Sequence, residues 1–298
     1  MNHKQTAASA AALGLLLLGV AASATAGRPA LAGRGFSAAA RPVSGSVRGS
    51  EARASVPALR QGIYAPGVAA PRHPVAGPNG VSDVFYFNWS GYAAAGARGS
   101  FTRVSGSWTV SRLGRCSREH QTSTQWVGFD GFSSNSPTVE QAGTISMCFE
   151  GRAVYDDWYE MFPTDPVTVT VHQVAPGDKI SASVTRSGAA YRLVVIDATH
   201  RADSFSVRTR CRTCLNDSAE WINERDLFAS SGYSPLSDYG TWKLTNGAAT
   251  QSGRPLSIGA LPNVNNITMV DATDSYNLAI ASALLRRSSF TTTWRDSW

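Results

Sequence analysis

The sequence contains no G-x-S-x-G, no H-E-x-x-H and no glycine-rich phosphate loop. This removes the common signatures of α/β-hydrolase, zincin and nucleotide chemistry. Histidine is scarce: of five in 298 residues, only His120, His172 and His200 follow residue 81. His172 and His200 stand in polar strand or turn contexts and read as surface residues, and nothing marks an activated serine. After the N-terminus, no run approaches the roughly 20 apolar residues of a membrane-spanning helix. The folded part also lacks an excess of positive charge. Lys4 and seven arginines (28, 34, 41, 48, 53, 60 and 72) against Glu51 give residues 1–80 a charge of +7, so residues 81–298 carry −1 of the chain's total of +6. A near-neutral domain offers no basic face, so nucleic acid is not expected as a partner.

The start of the chain has its own character. A short basic opening, an apolar run over residues 10–22 and Ala24-Thr25-Ala26 read as a secretory signal over 1–26. The expected product is secreted and extracellular, with no membrane association once the signal is cut. Residues 27–81 are rich in Ala, Gly, Pro, Ser and Arg, without sustained periodicity. They bury too little apolar surface to offset ordering entropy and read as a propeptide or disordered leader. Such a basic leader beside an acidic cleft can shield it, which predicts self-inhibition before activation. The even set Cys116, Cys148, Cys211 and Cys214 in an exported chain favours disulfides. Three pairings are possible; the short Cys211–Cys214 loop favours a local bridge, leaving Cys116 with Cys148. A zinc site at this pair lacks two further ligands at suitable spacing, so no metal and no cofactor are expected.

From residue 82 to 298 the texture is all-β. Thirteen short runs rich in Thr, Val and aromatics alternate with Gly, Pro, Ser, Asn and Asp. They predict one domain, a sandwich or a barrel, expected as a monomer. Leu278–Leu285 alone reads as one or two helical turns.

Four segments combine tryptophan, carboxylate and glycine. In "QWVGFDG" (125–131) Trp126, Gly128 and Asp130 share one face; in "TVEQAGT" (138–144) Val139, Gln141 and Gly143 do, with Glu140 on the other. In "YDDWYEMFP" (155–163) Asp156, Trp158, Glu160 and Phe162 align, and in "SAEWINERD" (218–226) Glu220, Ile222 and Glu224 do. A solvated face would mix lysine and threonine with its acids. An aromatic face with a few polar groups and glycines instead has the makings of a binding cleft.

With "FNWSGYA" (87–93), "VSGSWTV" (104–110) and "SSFTTTW" (288–294), these segments in this order resemble the eqolisins, or glutamic peptidases. The resemblance implies an all-β, antiparallel β-sandwich of two large sheets, jelly-roll and concanavalin-like, and a pepstatin-insensitive endopeptidase acting in acid on polypeptides. By motif, the catalytic pair falls on Gln141 and Glu224, while Trp126, Asp130, Trp158, Glu160 and Glu220 line or support the cleft. Asn223 departs from the family's "AEWIVE", and Met161 and Phe162 depart from its "YEWYP". Glu224 can take a proton from water and return it to the leaving amine; Gln141 can hold that water and donate N–H to the oxyanion. Two alternatives stay open: a glycoside hydrolase using Glu160 and Glu224, and a non-catalytic lectin-like module with calcium at residues 261–266 or 271–274.

Overall fold

The computed structural model describes residues 62–298 except 64–65, 78–79, 134–135, 170–173 and 229–231. The expected signal (1–26), residues 27–61 of the expected leader, and His172 lie outside the described residues. The strands are β1 (Gly62–Ile63), β2 (Val75–Ala76), β3 (Ser82–Tyr86), β4 (Trp89–Ala95), β5 (Phe101–Thr109), β6 (Thr122–Phe129), β7 (Val139–Phe149), β8 (Arg152–Phe162), β9 (Asp165–Val169) and β10 (Lys179–Ser187). They continue as β11 (Ala190–Asp197), β12 (Phe205–Arg210), β13 (Ser218–Glu224), β14 (Leu227–Phe228), β15 (Gly232–Tyr233), β16 (Thr241–Gln251), β17 (Arg254–Ser257), β18 (Val264–Val270), β19 (Asn277–Ala281) and β20 (Phe290–Trp294).

Pairing in the order β9-β8-β7-β6-β13-β4-β18-β3-β2 builds one layer. The order β12-β11-β10-β5-β16-β20-β19 builds the other. β18 also pairs with β19, so the layers form a single curled ladder of 17 strands. Every pair is antiparallel except β3–β18. The fold is therefore the expected all-β sandwich, with its sheets joined at one side. Twist accounts for part of the curl; a bulge between Thr245 and Ala248 in β16 adds a local bend.

The second layer has one wet face. Ile180, Ala182 and Val184 of β10 and Tyr191, Leu193 and Val195 of β11 are buried, and the residues between them are not. They meet Trp108, Trp221, Trp242 and Leu244 in the core between the layers. The first layer differs: β6 and β13 are buried at every position and β7 at all but the last, so its outer face is covered as well.

One expectation is corrected. The predicted helical turns at 278–285 begin in β19, which pairs with β18 and β20. A run that short does not sustain a helix against two available ladders. Cys116–Cys148 and Cys211–Cys214 are both disulfides; a metal at the Cys211–Cys214 pair is thereby removed. Residues 62–77, which the sequence assigns to the leader, carry β1 and β2, and these pair with β14 and β3.

Candidate active site

Strand register decides which side chains share the covered face. On β13, Glu224 lies opposite Thr124 and Trp89, Ile222 opposite Trp126 and Gly91, and Glu220 opposite Gly128 and Ala93. Across β7 and β8 the rows continue as Trp126–Gly143–Trp158 and Gly128–Gln141–Glu160. Gln141, Glu160, Glu220, Glu224, Trp126 and Trp158 therefore share one face, and none is more than 2% exposed. Ala219 and Trp221 point the other way, into the core between the layers. Glycine is required in the middle row. A Cβ on Gly143 would lie 1.9 Å from the Gln125 carbonyl and 2.8 Å from the Trp126 Cβ, so any side chain here would collide with β6.

Glu224 is bracketed by donors. Trp126 Nε1 donates to its Oε2 at 2.8 Å, and Asn88 Nδ2 to its Oε1 at 3.2 Å. Burial still raises its pKa well above the ordinary value; Asp226 and Glu160 add to the rise, and the indoles of Trp89 and Trp126 oppose it. Gln141 Nε2 donates to Glu160 Oε2 at 2.8 Å. Glu160 is also raised, by burial first and then by Asp226, with the Gln141 bond opposing. Glu160 thus links the pair, bonded to Gln141 and close enough to Glu224 to perturb it. Gln141 shares the row of Glu220, so two strand spacings and four residues of rise separate the Cα atoms of Gln141 and Glu224 by about 16 Å measured along the sheet.

A second acidic group sits at the other end of the face. Asp130, at φ 71°, accepts backbone N–H bonds from Leu215, Asn216 and Asp217 and a hydroxyl bond from Thr138. Its oxygens anchor the 215–217 loop and are not offered to a ligand. Burial raises Glu140, and Asp130 raises it further. Asp217 is pushed up to about 6 by burial and then Asp130. Glu220 is raised by burial, with Asp130 and Asp217 adding and Ser218 opposing.

The covering comes partly from residues 66–70. Val68 N donates to Asn88 Oδ1 at 2.9 Å, and Asn88 Nδ2 reaches the Pro66 carbonyl at 3.4 Å. Gly67 sits on the indole of Trp89: a Cβ there would lie 2.7 Å from the ring. Its N–H bonds the Gly131 carbonyl. Open cavities of about 530 Å³ lie elsewhere, around Trp108 and Lys179 and around Tyr92 and Arg287.

Sequence reasoning missed Asn88, which holds both Glu224 and the 66–68 segment; its place beside Trp89 in "FNWSGYA" was the available signal. Asn223 faces away from the site and accepts from Ser123 and Gln125. Of the two departures at 161–162, Met161 lies in the core between the layers and only Phe162 packs on the covered face. Asp271, in one of the two segments considered for calcium, accepts N–H bonds from Thr273, Ser275 and Tyr276, as a plain turn does.

The all-β sandwich thus gathers carboxyls, an amide and tryptophans on one buried sheet face. The family model of the Peptidase A4 family matches residues 87–294. The chain belongs to that family, the eqolisins, and is an endopeptidase of the glutamic type. No curated protein sequence matches it. Among solved structures, the fold is similar to scytalido-glutamic peptidase with a transition state analog inhibitor (TM-score 0.60, 20% identity, 70% of this chain and 98% of that one). It is also similar to SCP-B, an eqolisin in complex with the tripeptide Ala-Ile-His (TM-score 0.57, 19% identity, 70% and 98%). Aspergilloglutamic peptidase from Aspergillus niger follows (TM-score 0.50, 22% identity, 59% and 99%). Family membership disfavours the glycosidase and lectin alternatives.

Proposed function

We propose that the protein is a secreted, acid-acting glutamic endopeptidase in which Glu224 is the general base and acid and Gln141 stabilises the oxyanion. The observation that carries this reading is the placement of both side chains on one buried face, linked through Glu160. Ionised Glu224 takes a proton from water as that water attacks the scissile carbonyl, and the C–O bond forms as the carbonyl π bond opens. The amide N–H of Gln141 meets the oxygen that gains charge. Protonated Glu224 then delivers its proton to the departing nitrogen as the C–N bond breaks. Trp126 and Asn88 hold the carboxyl in place through both steps. Trp158 and Phe162 supply apolar wall for substrate side chains.

Residues 66–68 support self-inhibition. They lie against Trp89 and Asn88, beside the proposed base, and keep water away. A base deprived of water is held neutral by burial; removing the segment rehydrates Glu224, lowers its pKa and lets it ionise.

The test is digestion of a denatured protein by the secreted product at pH 2–8 with pepstatin present, beside Glu224→Gln and Gln141→Ala. Pepstatin-resistant cleavage in acid, lost in both variants, supports the reading. Full activity in either variant, or an optimum near pH 8, overturns it. A synthetic peptide of residues 61–72 that fails to inhibit the processed enzyme removes the self-inhibition.

A further inference from the structure

We propose that Asp178, Asp197 and His200 form a divalent transition-metal site suited to Zn²⁺, in the second layer and apart from the peptidase face. The β10–β11 register sets Asp197 opposite Ile180, so Asp178, just before β10, lies at the same end of this hairpin. His200 follows three residues after Asp197 and caps the 3-10 turn Arg201–Asp203.

Each carboxylate has one oxygen fixed by backbone and one turned toward the imidazole. Asp178 Oδ2 accepts from Ala175 N at 2.6 Å, and its Oδ1 lies 3.1 Å from His200 Nδ1. Asp197 Oδ1 accepts from Thr199 N and His200 N at 2.7 and 2.9 Å, and its Oδ2 lies 3.7 Å from Nδ1. The three ligand atoms all fall within 4.8 Å of one another. Asp197 is wholly buried, yet its Oδ2 has no hydrogen-bond partner.

A simple histidine–aspartate ion pair does not account for that oxygen. A protonated imidazole offers one N–H at Nδ1, and Asp178 is placed to take it. Asp197 Oδ2 then remains desolvated and unbonded, which is unfavourable for an ionised group. A metal ion accounts for all three atoms at once. Ligands about 2.0–2.1 Å from Zn²⁺ in tetrahedral array lie about 3.3–3.4 Å apart, and the separations of 3.1 and 3.7 Å bracket this. Two carboxylates neutralise a dication, and the backbone donors to the other oxygens orient the ligands from behind. Calcium and magnesium fit less well, because both require a fuller oxygen shell. The side chain of His200 is 57% exposed, which leaves an entry path and room for water in the fourth position. Bound metal would pin the turn before β10 to the end of β11.

The test titrates the full-length chain, stripped with a chelator and with disulfides intact, with Zn²⁺ at pH 7 against a chromophoric competitor. Wild type, His200→Ala and Asp197→Asn are compared. One equivalent should bind, weakened at least about 10- to 100-fold in both variants, and Tm should rise with Zn²⁺ in wild type alone. Should the buried Asp197→Asn variant fail to fold, the exposed His200→Ala carries the test. Absence of stoichiometric zinc binding in wild type, or equal binding by wild type and His200→Ala, overturns the proposal.

Discussion

Glu220 and Glu224 are the same residue type, on the same strand and face, four positions apart and both fully buried. Their surroundings separate them. Glu224 receives hydrogen bonds from an indole and a side-chain amide, which leave its charged form attainable. At Glu220 the Ser218 hydroxyl opposes the rise from burial, while Asp130 and Asp217 press on it with like charge, which favours the neutral acid. In the proposed mechanism, neighbours more than position assign one carboxyl to chemistry and the other to the structure of the fold.

The largest effects should come from attacking the Glu224 end. Glu224→Gln is expected to lower kcat/KM by at least about 1000-fold, and Gln141→Ala by about 100- to 1000-fold, with pepstatin without effect on wild type. Initial-rate assays at the acid optimum check both. Glu220→Gln should keep cleavage within a few-fold of wild type; loss equal to that of Glu224→Gln would erase the contrast.

The core behind both residues comes next. Trp221→Ala removes a fully buried ring on the reverse face of β13 and should cost about 3–5 kcal/mol in urea unfolding. The Glu220 end is then read by pH. Its acids have folded-state pKa values above their unfolded ones, so their stabilising contribution is complete below about pH 4. It is lost as pH rises through the folded values, past about 6 for Asp217. Urea midpoints should therefore fall between pH 4 and 7, and less steeply in Glu220→Gln. A midpoint that rises over this window would reverse the assignment. The disulfides lie outside this face. Removing Cys116–Cys148, which closes 32 residues, should cost about 3–4 kcal/mol, and removing Cys211–Cys214 about 2.

Much of this was legible in the sequence. Alternation of Thr, Val and aromatic residues marked β6, β7, β8 and β13, and period two placed Glu220, Ile222 and Glu224 on one face, as the registers do. Local pattern could not show that the layers join through β18 and β19, since that depends on pairing remote in sequence. Asp130 shows a second limit. Its spacing put it on the face of Trp126, but a positive φ at the strand end turns it to a backbone loop 85 residues on. The Asp178–His200 contact was hidden for the same reason: hairpin closure, rather than motif spacing, brings the two together.

The border of the first layer carries one more consequence. β3 lies between β18 and β2, and on the β2 side Phe85 O and Phe87 N are bonded by Ala70 and Val68. A maturation cut near residue 81 that released the preceding chain would strip these partners and leave β3 as an open rim of the sheet. Such rims recruit stray strands from other copies. Brevity, at five residues, and the charge of Asp83 are the two safeguards the mature enzyme would keep against self-association.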